Sequence, residues 1–133
     1  MDFENLKKYS PVLLRIALSL VFLWFGINQL IFPNMFLGYI PSWITQNPII
    51  PLEPGFIIMG NGIFEIVFGI LLIAGLFTRL VSLFLGLHLI GIMLGLGYND
   101  IAVRDFGLML ATISITLNGP DIWCLDNRHK KKV

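Results

Sequence analysis

GNGIFEIVFGILLIAGLFTRL, residues 60–80, is apolar over a length that crosses a bilayer, yet it holds one carboxylate, Glu65, near its middle. It breaks at Gly75, just before Thr78 and Arg79. Residues 56–76 hold 13 Leu, Ile, Val or Phe. Such a run is worth about −4 to −8 kcal/mol for insertion, against about +3 kcal/mol for one central charge. A helix over 55–77 therefore inserts with its acid. Gly62, Glu65, Gly69 and Leu72 follow at steps of three, four and three, which places them on one face. The glycines admit a neighbouring helix close to that face, so Glu65 is expected to point into protein and not into lipid.

The rest of the chain agrees with this class. Of its 133 residues, 56% are hydrophobic and 13% charged, and the mean hydropathy is +0.84. A soluble domain has roughly 45–50% apolar and about 25% charged residues. The net charge of +1 hides a basic cluster at Arg128-His129-Lys130-Lys131-Lys132, which reads as a cytoplasmic tail touching anionic lipid. No nucleic-acid footprint is present, and none is expected as a partner. Cys124 is the only cysteine, which excludes an internal disulfide, a CxxC pair and a cysteine metal cage. No metal site and no cofactor motif is evident.

Helix one is expected over 11–32, opening on Pro11, whose missing N–H is no loss in a first turn. Arg15, Ser19, Phe22, Gly26 and Gln29 form one face of it, which should look into a bundle. The segment 33–54 holds five of the chain's seven prolines and cannot cross the membrane as a helix. It is nevertheless rich in Phe36, Tyr39, Ile40, Trp43 and Ile44. It reads as an interfacial segment on the outer face, either an anchor or a cap over a cavity.

Helix three is expected over 80–97, in an antiparallel hairpin with helix two because the link at Thr78-Arg79 is so short. His88 shares a face with Gly91 and Gly95 and lies about 14 Å deep, at a level similar to Glu65. An acid and an imidazole near the midplane of adjacent helices read either as a proton-handling pair or as a packing pair. Helix four, expected over 101–117, begins with Arg104 and Asp105, the latter placed to meet the positive end of the helix dipole. The tail spans 126–133. The sequence thus predicts an all-α integral membrane protein, an antiparallel four-helix bundle in one domain with an interfacial segment between helices one and two. Lys7, Lys8, Arg15, Arg79 and the basic tail fall on one side, so both termini are expected in the cytoplasm, below a multi-pass inner-membrane protein.

Several pieces resemble the DoxX family of small four-helix membrane proteins. They are Arg15 with GINQLIFP (26–33), the G-x-x-E of Gly62 to Glu65, Gly69, GLFTR (75–79), RDFGLML (104–110) and NGPDIWCLD (118–126). The last is similar to a Gly-Pro-Gly-x-x-Ser-Leu-Asp ending, with Asp121 in place of the second glycine and Cys124 in place of the serine. The resemblance implies membrane redox chemistry. Some relatives are subunits of thiosulfate:quinone oxidoreductases, and others are tied to thiol and oxidative-stress complexes.

Three functions follow for test. In the first, the chain is a redox-associated subunit with a quinone or a small sulfur species between its helices. Glu65 and His88 would then handle protons, and Arg15 and Arg104 would attract an anion. Arg15, Arg104, Asp105, Asn28 and Asn61 are the candidates for substrate binding. In the second, the chain is a non-catalytic anchor or stabilising partner of another complex, with a protein partner or a second copy beside it. In the third, it is a proton-coupled transporter acting as a dimer. Small multidrug transporters of this layout, however, keep their essential Glu in helix one, where this chain has Arg15.

Overall fold

The computed structural model describes residues 3–47, 49 and 53–130. Pro48, Pro51 and the last three residues of the expected tail lie outside them. A short helix α1 (Phe3–Lys7) leads into α2 (Ser10–Ile31), with Pro11 in its first turn. A 3₁₀ segment (Pro33–Tyr39) and the single turn α3 (Ser42–Thr45) follow. Then come α4 (Pro54–Ala74), α5 (Thr78–Leu96), α6 (Asp100–Asn118) and a short α7 (Leu125–Lys130). The described residues are helical or irregular, with no strand. Three stretches are long and apolar enough to span a membrane: Asn5–Ile31, Pro54–Ala74 and Thr78–Leu96. The fourth long helix, α6, carries Asp100, Arg104 and Asp105 and is not among them.

The four long helices lie side by side with alternating direction. Between α2 and α4 the backbones themselves touch. A Cβ on Gly26 would fall 2.7 Å from the Gly62 carbonyl oxygen, and one on Gly62 would fall 2.8 Å from the Gly26 carbonyl oxygen. Only a residue without a side chain fits at either place. Between α5 and α6 the Ser82 and Thr116 hydroxyls bond at 2.8 Å. The α4 and α5 faces meet through Phe68 and Phe84, with ring centroids 5.9 Å apart. Leu18, Phe22, Leu72, Val81, Leu85, Leu89, Met109 and Ile115 fill the common core.

The α4–α5 corner explains why helix two stops at Ala74, three residues short of the expected 77. Gly75 sits in the left-handed region at φ 68°, and the Leu76 N–H reaches back to the Leu71 carbonyl at 3.0 Å. These are the marks of a Schellman ending. Phe77, at φ 50°, is left-handed as well. The start of α5 is capped from afar, by the Asp126 carboxylate. It accepts from the Phe77 N–H, the Thr78 N–H and the Thr78 hydroxyl, each at 2.8 Å. Tyr9 and Trp123 meet edge to face, centroids 6.2 Å apart, so the start of α2 and the end of α6 share one end of the bundle.

Candidate functional site

Among the described residues, a buried arginine–carboxylate pair lies at one end of the bundle and a carboxylate–imidazole pair near its middle. At the end where α2 starts and α6 finishes, Arg15 is 2% exposed. Its Nε donates to Asp121 Oδ2 at 2.6 Å and its Nη2 to Oδ1 at 3.3 Å. Its Nη1 donates to the carbonyls of Leu72 and Ile73. Those carbonyls belong to the last turn of α4, where a helix leaves acceptors without partners of its own. Arg15 is therefore fully engaged as a clasp joining α2, α4 and the segment after α6. This corrects the expectation that it attracts an anion beside Glu65. Asn28 also lies away from the cavity, its amide donating to the Trp24 carbonyl at 2.7 Å.

Burial pushes the Asp121 carboxyl up, but the Arg15 hydrogen bond, the Trp123 N–H and the Arg15 charge together outweigh it and hold the group below 3.8. Burial likewise pushes the neighbouring Cys124 thiol above 9.0.

The other end is open. A cavity of about 330 Å³ lies between the four long helices, beneath the 33–45 segment. Phe36, Tyr39, Ile40, Pro41, Trp43 and Ile44 close it from above, so the proline-rich stretch is a cap as well as a surface segment. The walls are apolar except at two places. In the first, Glu65 is 3% exposed and its carboxylate collects three contacts. Gln29 Nε2 donates to Oε2 at 2.9 Å, Asn61 Nδ2 donates to Oε1 at 3.2 Å, and His88 Nε2 lies 3.2 Å from Oε1. Asn61 Nδ2 also donates to Gln29 Oε1 at 2.7 Å. The imidazole packs on Phe64, centroids 4.7 Å apart, which fixes its plane.

In the second, Arg104 donates from Nε (2.8 Å) and Nη2 (2.7 Å) to one oxygen of Asp105. Its guanidinium lies 4.8 Å over the Phe25 ring. Asp105 is buried in the second turn of α6; the N-terminal cap is Asn99, whose side chain accepts from the Ala102 N–H at 2.9 Å.

The structure thus brings Glu65, His88, Asn61, Arg104 and Asp105 to one cavity and leaves Arg15 and Asn28 out of it. Gln29 is the participant that a reading of site residues from sequence passes over. Its signal was its position on the Arg15-Ser19-Phe22-Gly26 face, one turn beyond Gly26. Chemically, the cavity offers an apolar chamber with an acid and an imidazole at its floor.

No curated protein and no solved structure matches the chain significantly. The sequence model of the DoxX family matches residues 10–97, which take in α2, the cap, α4 and α5, with Gln29, Asn61, Glu65 and His88. Arg104, Asp105 and Asp121 lie beyond the match. Since the matched part is well over half of the sequence, the chain belongs to the DoxX family.

Proposed function

We propose that this DoxX-family membrane protein is a redox-associated subunit whose cavity receives a quinone head, with Glu65 and His88 handling protons. The observation that carries the reading is the carboxylate–imidazole pair at the floor of a largely apolar chamber, about 15 Å from the start of α5. Charge at that depth is costly to keep and marks a functional site by default. The chamber of about 330 Å³ suits a single small ring; ligand pockets start at roughly 300 Å³.

A quinone supplies a two-electron, two-proton acceptor, with electrons drawn from a reduced sulfur compound or thiol through a protein partner. The side chains would do the rest. A fully protonated pair would have two protons to give, one from the His88 imidazolium and one from the Glu65 carboxyl, and their 3.2 Å contact would let a proton pass between them. Gln29 and Asn61 hold the carboxylate in place through both changes of charge. Phe22, Phe25 and the cap line the chamber and would keep bulk water from the reacting ring. The reading also sets the chain in the inner membrane, crossing four times with both termini in the cytoplasm. In support, among the described residues Lys7, Lys8, Arg79 and Arg128 belong to the clasp end, while Arg104 is the one lysine or arginine that lines the cavity under the cap.

The test is sulfur-compound-driven quinone reduction in membranes containing the chain, with native co-purification and mass spectrometry of bound quinone. Replacing Glu65 with Gln should lower the rate about 100-fold. Undiminished activity in Glu65→Gln, with a constant partner still captured, would establish the anchoring role instead.

A further inference from the structure

The face of α5 turned toward α4 is made by Phe84, His88, Gly91 and Gly95, residues one turn apart. Three of the four have a neighbour. Phe84 meets Phe68, and His88 meets Glu65 and Phe64. At Gly95 an added Cβ would overlap the Pro41 ring, so the cap is seated directly on that glycine. Gly91 differs: among the described residues, and apart from its chain neighbours and its own helix backbone, no atom lies within 4 Å of where its Cβ would be. Gly91 is nevertheless exposed, and it is part of the cavity wall.

The pairing of 84 with 68 and 88 with 65 runs antiparallel, which puts Asn61 and Ile57 of α4 across from this gap. The result is a window in the side of the protein. Its sill is His88–Glu65 and its lintel is Pro41. Gly91 lies about 20 Å along α5, whose 19 residues span about 28 Å. The gap therefore opens within the hydrocarbon layer and not at its surface.

We infer that this window, between Gly91 of α5 and Asn61 and Ile57 of α4, admits a ligand from the lipid phase. The ligand is a ring-bearing amphiphile whose polar head reaches Glu65–His88 while its hydrocarbon tail stays in the gap. The cap then closes the chamber to the aqueous side and leaves the bilayer as the route. The choice of a quinone-type ligand rests on the proposed function; the lateral opening does not.

Two measurements separate them, both on the full chain in lipid nanodiscs. The first titrates decylubiquinone and its tail-less parent, 2,3-dimethoxy-5-methylbenzoquinone. Gly91→Phe, which fills the window from a position with free space around it, should weaken decylubiquinone at least tenfold. The tail-less ring should change by less than threefold, and Leu87→Phe on the lipid face should change neither. Equal losses for both quinones, or no loss for either, overturn the tail's place in the window. If the wild type binds neither quinone, the redox reading falls and the window is judged by the second measurement. There, bimane on Gly91→Cys, in a Cys124→Ser background, should be quenched by brominated lipid and spared by aqueous iodide. Iodide quenching without lipid quenching would overturn the lateral window, whatever the ligand.

Discussion

Arg15–Asp121 at one end of the bundle and Glu65–His88 near its middle are built differently. Arg15 spends its guanidinium on fixed acceptors, two carboxylate oxygens and two helix-end carbonyls. Asp121 is equally occupied, by Arg15 and by the Trp123 N–H at 2.9 Å. A recess of about 190 Å³ reaches Asp121 but does not touch the guanidinium. Glu65 and His88 are held just as firmly from the protein side, but they border a chamber of about 330 Å³. The family resemblance alone treats Arg15 and Glu65 as one kind of signal. The geometry separates a pair that ties three segments together from a pair that borders a chamber.

The strongest way to break this contrast is to remove one charge from the clasp. Arg15→Met should destabilise the protein by about 3–5 kcal/mol, because Asp121 is left buried without its partner. Arg15→Met with Asp121→Leu should recover part of that loss. Denaturant unfolding in nanodiscs is the measurement, and a single variant as stable as the wild type would refute the clasp. Acid gives an independent check. The folded carboxyl lies below its ordinary 3.8, so its stabilisation is complete above 3.8 and fades as pH falls through the lower folded value.

At the open end the effect should fall on activity. Glu65→Gln keeps a side chain of the same shape among Gln29, Asn61 and His88, and unfolding should shift by no more than about 1 kcal/mol. Quinone reduction should nevertheless drop about 100-fold. A variant that loses stability as badly as Arg15→Met, with its activity per folded molecule intact, would place Glu65 in the same structural class as the clasp.

How much of this was legible depends on the range of the interaction. Helix one, expected over 11–32, was readable from periodicity because its polar stripe and its apolar length are local properties. Glu65 meeting His88 was readable because a three-residue link forces α4 and α5 together. The partner of Arg15 was not, since Asp121 lies 106 residues away and reaches it only after the chain turns back beyond α6. The segment over 33–45 was ambiguous for a different reason. Aromatic residues suit a membrane surface and a cavity roof equally well. Only the seating of Pro41 on Gly95 shows that the segment turns over the chamber.

Glycines sharpen the same comparison at smaller magnitude. Gly26 lies where α2 and α4 backbones touch, and Gly26→Ala should cost about 1–3 kcal/mol through overpacking. Gly91 borders free space, so Gly91→Ala should be neutral or stabilising by up to about 1 kcal/mol, as expected for alanine in a helix. Thermal unfolding of the two variants side by side checks this. If Gly91→Ala is the more damaging, the space beside it is filled by something the chain itself provides.

The smallest effect concerns Cys124, which reports on the closed end without taking part in it. The thiol is 1% exposed, packed against Gly75, and lies 3.4 Å from the Thr78 hydroxyl oxygen. Burial raises it above 9.0, so the reactive thiolate is scarce near neutrality and becomes plentiful only as pH climbs past that value. Iodoacetamide should label Cys124 roughly ten times more slowly at pH 8 than a free thiol, since labelling must wait for local opening. Arg15→Met should speed it, because the Asp121–Cys124 turn is then no longer anchored. Glu65→Gln should leave the rate alone, its site being at the far end of the bundle. Equal acceleration by both variants would mean that the two ends open together, and the division of labour between them would not survive.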